Sequence, residues 1–155
     1  MNYVFVLAAG IGIVAGLRSL TAPAAVAWSA RVGWLNLHGS PLGFMTSTAA
    51  AVIFSLLAIG ELIADKLPSA PKRTALAPLF ARILTGGLCG ASLCAASGQS
   101  LIAGAILGGT GGVIGAFLGY ETRKRLVKSL HTKDFFVAIC EDLVAIGLAF
   151  LLVLR

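Results

Sequence analysis

Residues 83–120 contain no Asp, Glu, Lys or Arg, an uncharged run of 38 residues. About 20 apolar residues cover the hydrocarbon core of a bilayer, so this run holds two crossing helices joined by a tight turn. The rest of the chain obeys the same constraint. Of its 155 residues, 58% are hydrophobic and 12% charged, against about a quarter charged in soluble domains. The expected partner is therefore the lipid bilayer, and an ordinary soluble domain is excluded. A net charge of +6 could suit nucleic acid, but the basic residues gather in short loops between apolar runs, as in the cytoplasmic loops of inner-membrane proteins. No nucleic-acid partner is expected. The N-terminal MNYVFVLAAG lacks the basic stretch of a cleaved leader.

Six apolar segments follow from the pattern: about Tyr3–Leu17, Leu20–Asn36, Thr46–Lys66, Leu76–Ser97, Leu101–Tyr120 and Phe135–Leu154. No alternation of period two appears, and lipid admits only helices or closed barrels. The fold class is thus all-α, a polytopic membrane helix bundle forming one integral membrane domain over 1–155. A single long helix through the first two segments would strand Arg18 in mid-membrane at high cost. Two short crossings place it in a loop, and Pro23 then falls near a helix start, where its missing N–H is harmless. Ten of the twelve Lys and Arg then face the cytoplasm: Arg18, Lys66, Lys72, Arg73, Arg82, Arg123, Lys124, Arg125, Lys128 and Lys133, with only Arg31 and Arg155 opposite. That bias predicts a multi-pass protein of the bacterial inner membrane with both termini outside. Trp28 and Trp34 suit an anchor at the outer interface.

Three segments followed by three admit a 3+3 inverted repeat with halves 1–70 and 76–155, a common transporter plan. An offset of 80 aligns Gly10 with Gly90 and the stretch 58–61 (Ala-Ile-Gly-Glu) with 138–141 (Ala-Ile-Cys-Glu).

Charges inside apolar helices are costly, and those that persist are usually paired and functional. Glu61 and Asp65 share one face of the third segment at i, i+4, and Glu141 and Asp142 lie in the sixth. Helical rise puts Glu61 and Glu141 both roughly 8–10 Å from the cytoplasmic end. Arg82, some six residues into the fourth segment, reaches the same layer as a counter-charge. Arg18 is either a topogenic charge or a partner for an anion or a carboxylate. The expected ion- or substrate-binding set is Glu61, Asp65, Arg82, Glu141, Asp142 and Arg18, with Glu61 and Glu141 meeting in a shared site. The bland reading of the same charges is that Asp65 and Lys66 reach for the interface and Glu61–Arg82 is a structural pair.

Gly104, Gly108 and Gly112, and Gly111, Gly115 and Gly119, repeat at intervals of four along the fifth segment. Such stripes let helix backbones approach in lipid, so Gly104, Gly108, Gly112 and Gly115 are expected at a helix contact, within the chain or in a homodimer or larger homo-oligomer. No strand precedes Gly-Gly-Thr-Gly-Gly, so it is not a phosphate loop. Cys89, Cys94 and Cys140 all lie in apolar runs and read as small packing residues. His38 and His131 are isolated in loops. No Ser/His/Asp or Cys/His grouping is present, so neither an enzyme nor a cofactor is expected, and no metal is specified.

The pieces GLRSLTAPAA (16–25), GELIADKLP (60–68), PKRTALAPLFARI (71–83) and CEDLVAIGLA (140–149) resemble a widespread bacterial family of polytopic membrane proteins without an assigned activity. A weaker similarity is to cation/proton antiporters built from two inverted three-helix repeats, each carrying Glu-x-Gly-Asp-Lys. Glu61–Lys66 has one residue more and lacks the glycine, and Glu141-Asp142 departs further, so a calcium or manganese specificity does not carry over. The expected function is a small secondary transporter, proton-coupled to a cation or small solute. An oligomeric channel and an accessory protein without transport are the alternatives.

Overall fold

The structure, a computed structural model, describes residues 2–67, 75–130 and 134–154. Six α-helices occupy the six expected segments: α1 (Asn2–Leu17), α2 (Thr21–Val32), α3 (Thr48–Ala64), α4 (Leu76–Ala96), α5 (Leu101–Leu130) and α6 (Asp134–Val153). Among the described residues there are no strands, and the fold is an all-helical membrane bundle.

Lengths separate the helices into two kinds. α4, α5 and α6 are long and apolar enough to cross a membrane. α1 has 16 residues and α2 has 12, so at about 1.5 Å per residue they span roughly 24 and 18 Å. Neither covers a hydrocarbon core of about 30 Å by itself. α2 is short because it is interior: Thr21, Ala22, Pro23, Ala25, Val26, Ala27, Ser29 and Ala30 are all buried. Small side chains let neighbours close around most of it, while Trp28, Arg31 and Val32 stay exposed. Its C-terminus stops at Gly33, which takes a left-handed φ of 90° open to glycine at little cost. The following loop folds Leu37 and Met45 back into the core, both fully buried. Ser47 then starts α3 by accepting a hydrogen bond from the Ala50 N–H at 3.1 Å.

The closest packing joins α1, α4 and α5, with α5 in the middle. A Cβ on Gly112 would lie 2.6 Å from the Arg82 carbonyl oxygen of α4, and one on Gly16 would lie 2.6 Å from the Ala116 nitrogen of α5. Gly108 and Gly104 abut the Gly86 and Gly90 carbonyls of α4, while Gly115 abuts the Ile13 carbonyl of α1. The four glycines thus serve helix packing inside one chain. α2 rests on α3 and α6 and closes the other side of the bundle. The halves are not packed alike: α1–α5 is a close contact, whereas its repeat counterpart, α4–α2, is slight. The six helices divide three and three, and the two sets are packed differently.

α5 continues ten residues beyond the expected end at Tyr120. The basic run Arg123-Lys124-Arg125 is helical, not a loop, because good helix formers follow Tyr120 and Glu121 pairs with Arg125 one turn on, at 2.9 Å. Lys72, Arg73, His131, Lys133 and Arg155, which entered the topology argument or the loop reading, lie outside the described residues.

Replacing Gly112 with Leu should cost about 3 kcal/mol or more by forcing α4 from α5. Gly147→Leu meets nothing within 4 Å and should leave the melting temperature in detergent nearly unchanged. Equal melting of both variants would contradict the packing.

Candidate functional site

The chain breaks between α1 and α2 at Arg18-Ser19-Leu20. A helix end leaves carbonyls and N–H groups without intrahelical partners, and in lipid each must be met from within the protein. Here two other helices meet them. The Glu61 carboxylate of α3 accepts from the Ser19 N–H at 2.9 Å, the Ser19 hydroxyl at 2.6 Å and the Leu20 N–H at 2.9 Å. A negative charge at the start of α2 is favoured by its dipole. On the other side of the break, Arg82 Nε of α4 donates to the Gly16 carbonyl at 2.9 Å. Arg82 Nη2 also stands 3.9 Å from Glu61 Oε1, so one ion pair spans both ends of the break.

Arg18 itself is fully buried. Its Nη1 pairs with Asp65, just past the end of α3, and its Nη2 with Asp142 of α6. Asp142 is also buried and lies 3.4 Å from Lys66 Nζ. Lys66 in turn sits over the Phe135 ring, 5.8 Å from its centroid, within cation–π range. The layer therefore opposes three cations, Arg18, Lys66 and Arg82, to three carboxylates, Glu61, Asp65 and Asp142. Such balance is what burial demands, since an uncompensated charge in a low dielectric is far more costly than a paired one. Arg18 Nε has no hydrogen-bond partner among the described residues.

The layer corrects three expectations. Arg18 does lie in the short connection between α1 and α2, but of its two expected roles it takes that of carboxylate partner and is buried, so it cannot count toward topology, and neither can the buried Arg82. From α6 the layer takes Asp142 rather than Glu141. Consecutive residues on a helix point about 100° apart, so Glu141 faces away, toward α5, with its Oε2 3.9 Å from Arg123 Nη1. Glu61 and Glu141 thus serve two different arginines. Cys140 is exposed rather than a packing residue, whereas Cys89 and Cys94 are buried. Among the described residues no three His, Cys, Asp or Glu side chains converge as a metal site needs.

Residues 5–154 match the family described as a domain of unknown function, DUF4126. The chain belongs to that family. Neither the curated proteins nor the solved structures gave a match. In this DUF4126 chain the stretches GLRSL and GELIADK are the two sides of one contact, the helix break and the end of α3 that caps and clamps it. Two members of the layer escaped the sequence reading. Ser19 was readable only as the neighbour of Arg18, and Lys66 was assigned to the interface because it follows the last apolar turn. Trp28, expected at an interface, is partly exposed and ties α2 to α3 through its Nε1 and the Ser55 hydroxyl at 2.8 Å.

Arg18→Gln would leave Asp65 and Asp142 together without their shared cation and should destabilise the fold by about 3–5 kcal/mol. Adding Asp142→Asn should return about 1–3 kcal/mol of that loss, the coupling of groups in one network. Strict additivity in a denaturant or thermal cycle would show that the pair is not formed.

Proposed function

We propose that this protein is a small secondary transporter of the inner membrane, with termini on the outer side, in which the charge layer at the α1–α2 break is the solute- and proton-responsive element. The observation that carries this is a buried, broken helix whose exposed backbone groups are held by side chains of other helices. Transporters use such breaks because half-helix ends offer fixed partial charges to a solute at membrane depth. Glu61 occupies the anion position at the start of α2. A solute carboxylate could take that place when Glu61 withdraws. Arg18 would then hold the solute's second oxygen through its unsatisfied Nε or follow Asp65 and Asp142 as α3 and α6 move.

Because each carboxylate in the layer already faces a cation, a small organic anion or zwitterion fits better than a bare metal cation. Glu61, Asp65 and Lys66, the stretch that carries the likeness to cation/proton antiporters, supply half of the six charges. Exchange of a proton for a carboxylate's cation is an ion-pair switch between two packings, which needs only a differential affinity for the two states.

The test is a flux screen of small organic anions, zwitterions and cations in proteoliposomes, with and without a pH gradient. Uptake of at least one anionic or zwitterionic solute should rise with the gradient. Asp142→Asn and Glu61→Gln should each lower it roughly tenfold or more, as loss of an interaction worth about 1.4 kcal/mol implies. Flux indifferent to the gradient and to both variants would indicate a pore. No flux above empty vesicles from folded protein would leave the layer a structural role.

A further inference from the structure

A cavity of about 290 Å³ lies at the end of the bundle opposite the charge layer. Its lining includes Leu7 of α1, Leu35 beyond α2, Leu93 and Ala96 of α4, and Val153 of α6. Tyr3, Trp34 and Ser97, all exposed, form part of the same wall. They stand at helix ends, where the bundle meets water, and can hydrogen-bond to it. The volume is at the lower limit of small-molecule pockets, roughly 300–1,000 Å³. From this cavity a buried stripe runs down each surrounding helix to the charge layer. On α4 it is Ala96, Leu93, Cys89 and Arg82, and on α1 it is Leu7, Ile11, Val14 and then Arg18. At roughly 100° per residue, the positions on each helix fall within about 60° of one another. Ile11, Val14, Cys89 and Leu93 belong to one core cluster, with Leu7 and Ala96 packed against it.

The opposite wall comes from α2 and α6. It presents Ala22, Val26 and Ala30, and then Ala145, Ala149 and Val153, which follow Asp142 along α6. The two walls differ in stiffness. α1 and α4 are interlocked with α5 through glycines, whereas α2 and α6 pack on them far less closely. Alanines bury little area, so parting the walls costs less than parting two rows of leucines. The contacts of α5 with α1 and α4 stay intact in that motion. At the layer the walls are fastened by an ion pair, Arg18 with Asp142 of α6. We infer that the cavity is the entrance for a small organic anion or zwitterion, and that the solute passes between the α1–α4 wall and the α2–α6 wall to reach Arg18. This route rests on the transport reading and supplies its path. Cys89 marks the midpoint, seven residues from Ala96 and seven from Arg82.

Cys94 is the natural control. It is on the same helix and equally buried, but it abuts α5, where a Cβ on Gly104 would lie 2.8 Å from its Sγ. Full-length protein is placed in liposomes with Cys89 alone (Cys94→Ala, Cys140→Ala) or Cys94 alone (Cys89→Ala, Cys140→Ala). Sulfonatoethyl methanethiosulfonate, a small water-soluble organic anion, is added outside. The outer pH is held constant, so a gradient is set from the inside only, and modification is read by mass spectrometry. The gradient should speed Cys89 modification roughly tenfold, as a shift of about 1.4 kcal/mol toward an open state implies. Cys94 should stay unmodified, and modified Cys89 should block the gradient-driven flux of the solute screen. Cys89 unmodified while that flux persists would overturn the route and leave the transport reading standing. Equal modification of both cysteines would mean general loosening of the bundle and would also overturn it. Cys89 unmodified in protein that carries no flux would end the route and the reading together.

Discussion

A guanidinium with no exposed surface is difficult to keep inside a small helix bundle, and the way Arg18 is kept there organises half the molecule. Its two terminal nitrogens take carboxylates from helices that are distant in sequence, Asp65 at the end of α3 and Asp142 within α6. Arg18 follows the last residue of α1, so the same contact fixes where α1 stops and how α2 departs. The backbone groups freed by that stop are then met by Glu61 and Arg82. Remove the cation and two carboxylates face each other in a medium that screens poorly; remove a carboxylate and the arginine loses half its clamp.

The two sides of the bundle are held by different physics. On one side, α1, α4 and α5 approach until glycine Cα atoms meet carbonyl oxygens, which leaves no room for a side chain and little for movement. Dispersion over many close contacts holds this trio, as expected where lipid gives helices no hydrophobic reason to associate. On the other side, α3 rests mainly on α2 and is attached to the rest through Glu61 and Asp65. Ion pairs are directional and can be exchanged for others, whereas interlocked glycines cannot. The structure thus combines a fixed half with a half tethered by charge.

Much of this was legible in the sequence. The uncharged run from 83 to 120 fixed α4 and α5, and Pro23 and Arg18 marked the break between α1 and α2 to within a few residues. The glycine stripes announced close packing, though not which helices they would face. Depth counting gave the pairing of Arg82 with Glu61, but it brought Glu141 rather than Asp142 into the shared layer. Those neighbours share a depth, and only the rotation of α6 about its axis separates them. Arg18 was placed in the right connection, but its role stayed open between a topogenic charge and a carboxylate partner, because its carboxylates arrive 47 and 124 residues later. The end of α5 was missed for a simpler reason: charge stops a membrane span but does not stop a helix.

The buried clamp at Arg18 is tested most directly by solid-state NMR in lipid bilayers, measuring dipolar coupling between ¹⁵N-labelled arginine side chains and ¹³C-labelled aspartate carboxylates. The account predicts that the Arg18 guanidinium, assigned through its loss in Arg18→Lys, couples at ion-pair distance to the carboxylates of both Asp65 and Asp142 and exchanges slowly with water. A guanidinium signal for Arg18 with no carboxylate coupling and fast water exchange would contradict it, and would make Arg18 a solvated topogenic charge instead.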